Sequence, residues 1–113
     1  MTYRIDLSSV AQAEADAAFL SLTQYTTPER AQAWYQGMMK AISSLKTMPR
    51  RCPVARESAF FSQEIRQLLY GQGKHRYRIL FAILDDHPTP TVWILHIRNV
   101  AQRAIGEPDD AEE

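Results

Sequence analysis

Five arginines and one histidine in the second half of this chain carry side chains that can do chemistry. They are Arg66, Arg76, Arg78, Arg98 and Arg103, with His96 among them. A guanidinium is a planar fork of donors that matches a phosphate or a carboxylate, so a group of arginines marks an anion-binding surface. His96 is a group that can gain or lose a proton near neutral pH; the competing reading is a strand histidine held by a hydrogen bond. Other chemistry is missing its parts. There is no Gly-x-Ser-x-Gly motif, no pair of carboxylates spaced for acid–base work, and no catalytic base near Cys52 in sequence. Arg50, Arg51 and Arg56 flank that cysteine and would activate it; the plainer reading is a structural thiol. Gly71-Gln72-Gly73 is too short to cradle a phosphate. Asp85-Asp86-His87 reads as a turn beside Pro88 and Pro90 and not as a metal site. No cofactor and no metal are expected.

The charge is uneven. The chain has 13 Lys and Arg against 13 Asp and Glu, but five of the acids lie in Glu107–Glu113, which has no base. Residues 50–106 hold nine bases and four acids, whereas residues 1–49 balance. An excess confined to one half points to an anionic partner, the alternative being a solvated basic face. Residues 107–113 are expected to be a disordered acidic tail, and residues 1–106 a single domain. The opening MTYRIDLSS lacks the pattern of a secretory signal, and no apolar run reaches the length of a membrane span. With its one cysteine the chain is expected in the cytoplasm, away from membranes.

The elements that must position these groups follow from periodicity. Tyr3 to Leu7 alternates as a half-buried strand. Ser9 with Gln12 fits a capping box opening a helix over about 9–24, and Thr27-Pro28 opens a second that runs to about Lys46. Ala31, Trp34, Tyr35, Met38, Ile42 and Leu45 give the second helix an apolar stripe. The short connection makes the two helices an antiparallel hairpin. Residues 48–56 form a loop. Three strands follow at 64–70, 77–84 and 91–98, joined by hairpin connections. The fold class is therefore α+β, a helical hairpin on one face of a mostly antiparallel sheet. Alternation then sorts the strands, with Tyr77, Ile79, Phe81 and Ile83 under the helices. Arg66, Tyr70, Arg76, Arg78, His96 and Arg98 are expected together on the uncovered face as a binding surface. The competing reading pairs the arginines with Glu57, Glu64 or Asp6.

Several motifs in this order resemble a known family. They are Ala31-x-x-Trp34-Tyr35, the Ala41-Ile42-x-x-Leu45-x-x-x-Pro49 ending, Arg51-Cys52-Pro53, Ile65 to Gly71 (IRQLLYG), Tyr77 to Phe81 (YRILF) and Leu95 to Arg98 (LHIR). Together they resemble the RelE/ParE toxin superfamily of type II toxin–antitoxin modules, over the chain up to about Gly106. The resemblance implies the same α+β fold and a small bacterial toxin neutralised by a cognate antitoxin. It also implies one of two activities. RelE-like members are ribosome-dependent mRNA endoribonucleases that use basic sheet residues and a C-terminal tyrosine; ParE-like members bind and poison DNA gyrase. Here Arg78 matches the arginine of the shared strand. Arg66 stands where RelE-like members carry lysines, but Gln67, Leu68 and Leu69 are not basic, and no tyrosine follows Arg98. Asn99 replaces the histidine of many relatives. The missing lysines and tyrosine place the chain nearer the ParE-like branch, as a plasmid-stabilisation type of toxin that need not be an enzyme.

The expected function is thus growth inhibition through a cellular target such as gyrase, with the antitoxin laid along an exposed apolar surface as a helix or an added strand. The alternatives are a ribonuclease acting on ribosome-bound mRNA through Arg66, Arg78, His96 and Arg98, and a module that binds its antitoxin without toxic activity. The target- or antitoxin-binding set is Arg66, Tyr70, Arg76, Arg78, His96, Arg98 and Arg103.

Overall fold

The computed structural model describes residues 2–102 and 104–106. Strand β1 (Arg4–Leu7) leads into helix α1 (Ser9–Leu22), and helix α2 (Pro28–Ser43) follows after a five-residue turn. The first cap is Ser8 and not Ser9: its hydroxyl accepts the Ala11 N–H at 3.0 Å and also donates to the Leu95 carbonyl at 2.9 Å. One side chain thereby starts the helix and ties it to the sheet. Thr27 caps α2 by accepting the Arg30 N–H, with Pro28 at the first helical position as its fixed φ favours. The last turn tightens into a 3₁₀ segment, Ser44–Lys46, so the regular helix ends three residues earlier than the stripe implies.

Strands β2 (Arg66–Tyr70), β3 (Tyr77–Leu84) and β4 (Thr91–Asn99) complete a four-stranded sheet in the order β1-β4-β3-β2. The later strands pair antiparallel, and β1 lies parallel to β4. Both helices pack on one face. Ala11 and Ala15 let α1 approach closely, and Met38, Ile42 and Leu45 meet Ile79, Phe81, Val92, Ile94 and Ile97 in the main core. Each large side chain there contributes about 1.5–3 kcal/mol by leaving water. Cys52 is buried in this core, and burial pushes its thiol up, against the pull of Arg51 and Arg66. Its place is structural.

The opposite face is not bare. Ala55, Ile65, Leu80 and Ala82 form a second, smaller core with Phe61, Leu84, Leu95 and Ile105 packed on it. The cover comes from the segment around the 3₁₀ helix Arg56–Phe60 and from the end of the described chain. This second core overturns two assignments of strand faces. In β2, Leu68 and Tyr70 turn to the helices, and Gln67 and Leu69 stand opposite Leu80 and Arg78. In β4, the register slips between Leu80 and Phe81, making Leu95 an extra residue. Val92 and Ile94 therefore face the helices along with Ile97, a set that strict alternation cannot give.

Candidate target-binding surface

Arg78 projects from β3 into the second core and is only 5% exposed. Its guanidinium makes a two-pronged pair with Glu57, which is fully buried: Nη1 donates to Oε2 at 2.6 Å and Nη2 donates to Oε1. Nε and Nη2 also donate to Gln67 Oε1 at 3.0 and 2.9 Å. Two buried charges are stable only when their hydrogen-bonding capacity is met in this way. Burial works to raise the Glu57 carboxyl, but hydrogen bonds from Arg78, from its own backbone and from the Ile105 N–H outweigh it and hold the group below the usual carboxylate range. The Ile105 contact means that this pair also anchors the end of the described chain to the sheet.

Arg78 therefore does not present an open fork on an uncovered face; Arg98 and His96 share its side of the sheet, but Arg66 and Tyr70 do not. Arg66 lies on the helix side, where Nη1 donates to the Cys52 carbonyl at 2.6 Å and Nε to Glu64, pinning the 50–52 loop. Tyr70 also faces the helices. Its hydroxyl donates to the Trp34 carbonyl at 2.7 Å, its ring packs on Trp34, and burial pushes its phenol up. Gly37 makes that contact possible, because a Cβ there would lie 2.2 Å from the Tyr70 oxygen. His96 is half-buried with Nδ1 3.4 Å from Glu14 of α1, whose other oxygen accepts the Ile97 N–H at 2.8 Å, past the point where β1 stops pairing with β4. Arg98 is half-buried opposite Arg78. Arg76 is exposed just ahead of β3. Arg103 and the tail at 107–113 lie outside the described residues.

The surface that is open is made by other groups. Lys74, Arg76 and Arg56 are exposed, and Leu69 and Val54 expose apolar surface along the β2 side. At that edge the Gln67 N–H reaches the Pro53 carbonyl at 3.0 Å and the Ala55 N–H reaches the Ile65 carbonyl at 2.7 Å. Proline 53 has no N–H to continue the ladder, so pairing stops there and the edge at Leu69 stays open. The far edge of β4 is closed instead by Ser8, Glu14 and Gln102, whose side chains take up Leu95, Ile97 and Asn99 backbone groups. Glu14 and Gln102 carry no sequence signal for this role, since it follows from where β1 stops pairing with β4, a contact distant in sequence. Asp85, read as a turn residue, accepts from the Tyr3 hydroxyl at 2.8 Å and from Arg50, so it clamps β1 to the loop after α2. Among the described residues no three His, Cys, Asp or Glu gather as metal ligands, and no helix is long and apolar enough to cross a membrane.

This arrangement matches a solved structure titled "Chromosomal ParDE TA system from P. aeruginosa", with a TM-score of 0.68 over 88% of this chain and 97% of that one. The chain shares the α+β fold of that structure. Sequence identity between the two is 16%, so the likeness lies in the arrangement of elements. No protein-family model matches the chain, and no curated protein matches it by sequence.

Proposed function

We propose that this protein is the toxin of a type II toxin–antitoxin module, that it stops growth by binding a cellular target such as DNA gyrase, and that a cognate antitoxin neutralises it. The observation that carries the reading is the match of nearly the whole chain to a structure of a ParDE toxin–antitoxin system. The burial of Arg78 supports binding over RNA cleavage. A ribonuclease would need that guanidinium on a phosphate, and here Glu57 and Gln67 occupy it. Arg76 and Arg98, with Lys74 and Arg56, are the cations proposed to meet an acidic target or antitoxin, which they would also attract at long range. The open edge at Leu69 is the proposed seat for an added antitoxin strand.

Tightly controlled expression in a bacterial host tests the reading. Growth arrest with induction of the DNA-damage response and intact transcripts is the expected result. Transcripts cut at codon positions would replace it with the ribonuclease, and undisturbed growth would leave only antitoxin binding.

A further inference from the structure

The α1–α2 turn and the β2–β3 turn meet at one corner of the molecule. Tyr25 is 72% exposed there, and its ring centroid lies 5.7 Å from that of His75 at an interplanar angle of 52°. His75 closes the short 3₁₀ segment Gly73–His75, between Lys74 and Arg76, both exposed. The turn is held firmly. Gly71 has φ +93°, and a Cβ on it would lie 2.1 Å from the His75 carbonyl oxygen, so only glycine lets the turn close. The Asn99 side-chain amide donates to the Lys74 carbonyl at 2.8 Å, and the Val100 N–H donates to the Arg76 carbonyl at 3.0 Å. No acidic residue occurs from Ile65 to Leu84, so nothing on this hairpin neutralises the two cations.

An exposed tyrosine set against a half-buried histidine on a rigid cationic turn contributes little to the core, but the two have the parts of a stacking platform. Every nucleobase has a π face that can lie on a tyrosine or a histidine, while lysine and arginine follow the phosphates. An acidic protein surface would use the two cations and leave the rings unexplained. We propose that this corner binds single-stranded nucleic acid, with bases stacked on Tyr25 and His75 and phosphates held by Lys74 and Arg76. Lys74 and Arg76 are also among the cations assigned above to an acidic partner, and Tyr25 and His75 are what this proposal adds, so the tyrosine and oligoglutamate arms of the test separate the two uses.

The test uses the purified full chain and fluorescein-labelled single-stranded RNA and DNA of about twelve nucleotides, followed by fluorescence anisotropy across a salt series. Binding of either strand type is expected, with a log–log salt slope of about −1.4 for two phosphate contacts. Tyr25→Ala should weaken binding about tenfold while Tyr25→Phe retains it, and Lys74→Ala with Arg76→Ala should flatten the slope. Unchanged thermal unfolding of each variant ties the loss to the corner. The proposal is overturned if the labelled strands do not bind at low salt, or if Tyr25→Ala binds like the parent. It is also overturned if labelled oligoglutamate binds as tightly through the same residues, which would make the corner an acidic-protein site.

Discussion

Arg78 is buried against Glu57 and Gln67 and does not stand on an open sheet face. Its position in the Tyr-Arg-Ile strand marks it in sequence, and so does the presence of Glu57 as a possible partner. What the sequence lacks is the fold of residues 53–65 over the second face, which brings Glu57 to it. Removing either charge leaves the other buried and alone, so Arg78→Ala or Glu57→Ala should cost about 3–5 kcal/mol in chemical denaturation. The paired replacement Arg78→Met with Glu57→Leu should cost much less than the sum. Loss of toxicity in Arg78→Ala would then follow loss of folded protein. If instead that variant unfolds like the parent, the pair is not structural. Acid should act on the same group. The Glu57 carboxyl is depressed in the folded state, so its stabilisation is present above the unfolded value of about 4.3 and is lost as pH falls through the lower folded value. Asp85, held down by Arg50 and Tyr3, acts in the same direction. Unfolding measured against pH should show stability falling below about pH 4, and less steeply in Glu57→Gln; an equal slope in that variant would remove Glu57 as the cause.

Among the elements, the extent of helices and strands was legible, but the faces of β2 and β4 were not. Thr27-Pro28 and the stripe from Ala31 to Leu45 define α2 because that helix has a single buried side. Strand β3 runs from Tyr77 to Leu84, as its unbroken apolar run and flanking turns indicate. Strand β4 contributes to both cores, and β2 carries apolar Leu69 on its outer face opposite Leu68 and Tyr70, so alternation cannot tell their faces apart. The extra residue at Leu95 then reverses the pattern midway without a glycine to announce it. The contact between α2 and β2 is also tight enough to test. Gly37→Ala should destabilise the protein by about 1–3 kcal/mol through overpacking. Most of that cost should disappear in a Tyr70→Phe background, where the clashing oxygen is gone. Simple additivity in the double-mutant cycle would show that Gly37 matters for another reason.

For the molecule as a whole, the α+β class and the sandwich of helices on a sheet were recoverable from periodicity, and the motif order already resembled the RelE/ParE superfamily. The parallel docking of β1 on β4 and the second core were not, because both depend on contacts distant in sequence. These features decide which groups remain available to a partner. The arginine of the shared strand is spent inside, and the open surface belongs to the β2 edge, Arg76 and its neighbours. The proposed reading, that the protein binds its target without cutting RNA, rests on this burial of Arg78. The most direct measurement is a supercoiling assay with purified protein, DNA gyrase and relaxed plasmid, alongside a translation extract carrying a defined mRNA. Blocked supercoiling with the mRNA left whole is the predicted result; full gyrase activity together with mRNA cut on the ribosome would contradict it.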